Sequence, residues 1–368
     1  MTLHGVLVRQ TAVVGHGPHG WIIDHSLQRV KSTRLVLSHA QQGEESGIDV
    51  KENRGGIETS DNVSYARRRS DPYRAAGQRL ESLLRGLGRD DGEEEIIDSM
   101  LSDTSVEKKL ALAGLAGSIA SGGAWLAMVL LGLDPLGGAR LQVGSVQAGL
   151  VGLAVSVPLV VFKQSLWSDD ARRQLPFVED IQSRMMEEFR PILSGMNVSQ
   201  SMMVMVFEVV PTVLLVIPAL TAGVAKLLEM YRTSLAVYVP ETIPPILGLA
   251  VAALLAGISK IIDESALPEE YDVIKDALDN ADRYYTVMGG PGEEKVDQKA
   301  AFEVVALTWL ARRQVAARFA GAVSSFEVFY LGLLWLETGD LTAPMMAALA
   351  ITAVDFWNIH HKLSTSVE

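Results

Sequence analysis

The stretch Leu110–Leu133, LALAGLAGSIASGGAWLAMVLLGL, runs for 24 residues without one charged side chain. A hydrocarbon core about 30 Å thick is crossed by roughly 20 helical residues, so this segment is long enough to span a bilayer and too apolar for an ordinary core helix. Five further apolar stretches follow it: Gly144–Phe162, Ser201–Ala225, Ile243–Ser259, Phe319–Leu336 and Leu341–Ile359. The expected fold class is all-α, a polytopic membrane helix bundle of about six transmembrane helices with amphipathic helices in its loops. Only Glu337–Asp340 separates the last two stretches, which demands a tight helical hairpin.

Working outward, the 48% hydrophobic content averages a polar N-terminal third with an apolar remainder. The net charge of −12 gathers in a few polar segments, and no basic surface suited to DNA or RNA is present. The expected partners are the lipid bilayer and one or more membrane proteins. Zero cysteines exclude disulfides, iron–sulfur clusters, thiol nucleophiles and cysteine-ligated zinc.

Up to residue 43 Asp24 is the only acidic residue, while Arg9, Arg29, Lys31 and Arg34 are basic and serines are interspersed. Acid-poor, Arg- and Ser-containing leaders suit organelle import. Residues 1–43 therefore read as a targeting peptide, for a chloroplast membrane (thylakoid or envelope) first and a mitochondrion second. Residues 44–108, with the run DDGEEE at Asp90–Glu95, read as a polar, largely disordered arm. The membrane domain occupies 109–361, and 362–368 form a tail.

Lys and Arg set orientation, since they are retained in short loops on the cytoplasm-like side. The loop after the second span carries Lys163, Arg172, Arg173, Arg184 and Arg190. That after the fourth carries Lys260, Lys275, Arg283, Lys295, Lys299, Arg312, Arg313 and Arg318, against Arg140, Lys226 and Arg232 on the opposite side. Both termini and both long loops are expected on one side. Within those loops Phe177, Ile181, Met185 and Phe189 recur every four residues behind Pro176, and Ile274, Leu278, Ala281 and Tyr285 recur before Gly289-Gly290-Pro291-Gly292. Both patterns predict amphipathic helices, lying along the interface or capping the bundle. A third is expected over Ala300–Arg318.

Ionisable groups at membrane depth are costly and usually face a bundle interior. Glu208, Glu327 and Asp355 are the intramembrane polar candidates.

Leu331–Asp355, LGLLWLETGDLTAPMMAALAITAVD, resembles the last conserved region of the CAAX protease and bacteriocin-processing (CPBP) family of intramembrane metalloproteases. In that family a Gly-rich helix leads through a Thr-Gly-x-Leu-x-x-Pro turn into a helix bearing His and then Asn or Asp. Gly332, Thr338, Gly339, Leu341 and Pro344 fit the pattern. Glu187-Glu188-Phe189-Arg190 resembles its paired glutamates followed by Arg, and Phe356–His360 matches its Phe-x-x-x-His motif. The resemblance implies Glu187, Glu188 and Arg190 as catalytic candidates, His360 as a metal-ligand candidate, and zinc as cofactor if the chain is a protease.

The departures are specific. Arg190 comes three residues after Glu187 where the family has five, Ala348 and Thr352 occupy the expected His and Asn/Asp positions, and Phe356–His360 follows the turn instead of preceding it. Five of the seven histidines lie in residues 1–43, and His360 and His361 close the last span beside Trp357. The expected function is a CPBP-like membrane accessory or scaffold without the catalytic site and without a cofactor. Two alternatives stand beside it: an active intramembrane metallo-endopeptidase using Glu187, Glu188, His360 and Glu208, and a proton- or solute-linked carrier using Glu208 and Glu327.

Overall fold

Six helices among the described residues are long and apolar enough to cross a membrane, and each coincides with one of the six apolar stretches. The structure, a computed structural model, describes residues 72–90, 99–140, 142–235, 240, 243–288 and 293–365. The segment read as a targeting peptide, most of the polar arm and the Gly289–Gly292 turn lie outside those residues. The described residues are α-helical throughout, without a strand. The chain is an integral membrane protein with an all-α, polytopic architecture.

In chain order the helices are α1 (Pro72–Asp90), α2 (Val106–Leu130), α3 (Val143–Leu166), α4 (Asp169–Gln174), α5 (Pro176–Leu193) and α6 (Val198–Leu214). A π-helical segment, Leu215–Ala222, continues α6 into α7 (Gly223–Leu235). Then come α8 (Ile243–Glu264), α9 (Pro268–Asp279), α10 (Ala281–Met288), α11 (Glu293–Thr338) and α12 (Thr342–Thr365).

Local sequence sets the boundaries. Pro176 and Pro268 open α5 and α9 at the first helical positions, where a missing N–H costs nothing. Asn197 and Gln200 form a reciprocal capping box at the start of α6, both bonds 2.9 Å. Pro218 has no N–H to give and the helix widens around it, with the Thr221 hydroxyl donating to Val216 O at 3.2 Å.

The expected amphipathic helix behind Pro176 is α5, and it caps the bundle, with Phe189 stacked edge-on to Phe356 at 4.9 Å. The pattern Ile274–Tyr285 is broken at Asn280 into α9 and α10, yet Ile274, Ala281 and Tyr285 remain buried. The segment Ala300–Arg318 is not separate from the fifth span. It is the first part of α11, because Arg312, Arg313 and Arg318 interrupt hydropathy without breaking the helix and no proline intervenes. Its 46 residues extend about 69 Å at 1.5 Å per residue, roughly twice the hydrocarbon thickness.

Inside the polar arm, Pro72–Asp90 is helical and packs Ala76 and Leu80 against Ile274, Tyr285 and Phe302. Arg79 lays its guanidinium over Tyr284, 3.6 Å from the ring centroid, and over Phe302 at 4.4 Å.

In the membrane, small residues bring backbones together, as lipid-embedded helices require. A methyl group on Gly321 of α11 would sit 2.8 Å from Gly257 O of α8. One on Gly152 of α3 would collide with Ala343 O of α12. The helices α3 and α12 run parallel, since Ser145 meets Asp340 and Thr342 at one end and Lys163 meets Asp355 at the other.

Candidate functional site

The turn between α11 and α12 fixes one end of that parallel pair. Gly339 takes a positive φ of 62° and donates its N–H to Trp335 O at 2.8 Å, closing α11. Asp340 then accepts from the Ser145 hydroxyl, from Thr342 N at 2.9 Å and from the Thr342 hydroxyl at 2.7 Å. Burial works to raise the Asp340 pKa, but the Ser145 and Thr342 hydrogen bonds outweigh it and hold the carboxyl below the usual carboxylate range. Leu341 is buried, and Pro344 sits in the first turn of α12. Gly332 leaves room for Leu249. Gly332, Gly339, Leu341 and Pro344 thus each have a structural task here.

At the other end lies a cavity of about 270 Å³, lined from α3, α5, α6, α8, α11 and α12. Lys163, in the last turn of α3, extends between Glu327 Oε1 at 2.9 Å and Asp355 Oδ2 at 3.1 Å. The contact with Glu327 is ionic and poorly aligned, since Oε1 makes no hydrogen bond. The Trp167 indole N–H donates to the second Asp355 oxygen at 2.8 Å. Asp355 lies 15 residues from Asp340, about 22 Å of helix rise, and so inside the hydrocarbon thickness.

Three other charged groups face the same space. Lys260 of α8 lines the cavity while pairing with Glu264 at 2.8 Å, and Glu208 of α6 lines it ten residues after Val198. Glu188 lines the cavity from α5, and Gln182 of the same helix donates its amide N–H to Leu166 O at 2.8 Å. Arg312 ties α5 to α11 through Asp180 at 2.8 Å.

The three intramembrane carboxyls read from sequence therefore share one cavity with Glu188. Glu187 and Arg190 are exposed and line no part of it, and His360 turns its Nε2 to Met196 O at 3.1 Å. Lys163 and Lys260, counted in sequence as loop cations, belong to the site. Charge counting assigns lysines to loops; what signals Lys163 otherwise is Trp167 four residues on, which puts both side chains on one face.

The chain matches no protein-family model, no curated protein and no solved structure.

Zinc would require three or four N, S or O ligands converging at about 2 Å. Among the described residues no group of three or more His, Cys, Asp or Glu is arranged to hold a metal ion. In the cavity Lys163 occupies Glu327 and Asp355, and its ammonium repels a divalent ion. The donor set does not fit zinc, and no step is derived through it. What it offers is a confined surface of charged groups among apolar lining residues.

Proposed function

We propose that the protein is a CPBP-like integral membrane accessory, without peptidase activity, that holds a membrane-borne ligand in this cavity. The observation that carries the reading is the ion cluster itself. Lys163, Glu327, Asp355 and Trp167 form a preorganised polar wall at membrane depth, where such groups are costly unless function retains them. Of the peptidase candidates, Glu187, Arg190 and His360 line no part of the cavity, whereas Glu188 does. The acid-poor, Arg- and Ser-containing leader supports a plastid membrane as its location, with the mitochondrion as alternative.

A second reading, a solute- or proton-linked carrier using Glu208 and Glu327, has one observation in its favour. The cavity-lining helix α6 passes into a π-helical segment at Pro218, a feature frequent at functional hinges. Flux of solute or protons through the protein in sealed vesicles would favour it.

The accessory reading is tested by Glu187→Gln and Arg190→Gln in complementation of a deletion strain, together with metal analysis of the purified protein. Both variants are expected to complement normally, and zinc is expected far below one ion per chain. Stoichiometric zinc with loss of function in either variant at normal protein levels would overturn the reading.

A further inference from the structure

The cavity seats two ammonium groups of its own. Lys163 is clasped by Glu327 and Asp355, and Lys260 by Glu264. The Glu208 carboxyl has no such partner: it lines the cavity and makes no ion pair or hydrogen bond with the described residues. Ten residues into α6, about 15 Å of helix rise from its start, it lies within the apolar span Val198–Met230. The lining as a whole holds four carboxyl groups, Glu188, Glu208, Glu327 and Asp355, against the two lysines. From α11, Phe319, Val323 and Leu331 give the cavity apolar lining beside Ser324 and Glu327.

A carboxylate at that depth is costly without a paired counter-charge, and a surplus of acid in a largely apolar cavity favours a cation. The volume, about 270 Å³, falls near the lower end for small-molecule sites and is too small for a helix. From this geometry we infer that the cavity binds a small amphiphilic ammonium ion, its charge on Glu208 and its alkyl part against Phe319, Val323 and Leu331. The inference rests on the binding function proposed above and adds the chemical class of the ligand.

Pentylammonium and its neutral counterpart pentan-1-ol separate charge from hydrophobic fit. Titration calorimetry on the full chain in lipid nanodiscs, against empty nanodiscs, is expected to show saturable binding of pentylammonium at least about tenfold tighter than pentanol. Glu208→Gln is expected to erase that preference and Glu208→Asp to keep it, with unchanged unfolding midpoints showing that both variants are folded. Equal binding of the two probes by the natural chain, or a preference that survives in Glu208→Gln, would overturn the cation assignment while leaving a ligand-binding cavity in place. Saturable binding of neither probe would overturn both.

Discussion

The two ends of the parallel α3–α12 pair use the same residue type for different ends. At the turn, Asp340 is satisfied by hydroxyl and backbone donors within a few residues or one helix away, and it does not line the cavity around Lys163. About 22 Å further along, Asp355 accepts from Trp167 and Lys163, and that cluster opens onto a void lined by further charge. A carboxylate bonded to its own turn and to Ser145 of α3 fastens helices. One that shares Lys163 with Glu327 of a third helix, with space beside it, lines a cavity.

The contrast is broken most severely at Lys163. Replacing it with Met strands Glu327 and Asp355 together, and removing one partner from a buried ion cluster costs about 3 kcal/mol. The expected result is a markedly lower unfolding midpoint in detergent. Adding Glu327→Gln and Asp355→Asn to Lys163→Met is expected to restore most of the loss, because no charge then remains unpaired.

A smaller effect is expected at the turn, where Asp340→Ala removes hydrogen bonds to a carboxylate and costs about 2 kcal/mol. Here pH sharpens the comparison. The folded Asp340 pKa is depressed, so its stabilisation is fully present above the ordinary carboxyl range, about pH 4, and is lost as pH falls through the lowered value. Acid unfolding curves should show this component in the natural chain and not in Asp340→Ala.

The two ends also differed in legibility. The turn was readable because Thr338, Gly339, Leu341 and Pro344 act locally: a positive φ, a cap, a buried anchor and a helix start. The spans were readable because hydropathy over about 20 residues is a direct consequence of bilayer thickness. The carboxyls Glu208, Glu327 and Asp355 stood out as charges within apolar runs. Their convergence did not, because it depends on α3 and α12 being parallel neighbours and on Gly152 allowing their close approach. Lys163 was misassigned to a loop since its backbone is at a span end, while its flexible stem carries the ammonium back into the bundle. The packing of α1 was hidden for another reason. Its buried Ala76 and Leu80 are few, and Arg79 is held by rings more than 200 residues away.

The central claim is that Lys163, Glu208, Glu327 and Asp355 border one accessible cavity inside the membrane. Because the natural chain contains no cysteine, single cysteines at Ser324 and Thr352, which line the cavity, and at Leu254, which faces outward, report without background. In sealed vesicles treated with a membrane-impermeant cationic thiol reagent, the first two are expected to label from the side bearing the two long loops, and Leu254→Cys is expected to remain unlabelled. Labelling of Leu254→Cys with protection of both cavity positions would contradict the account.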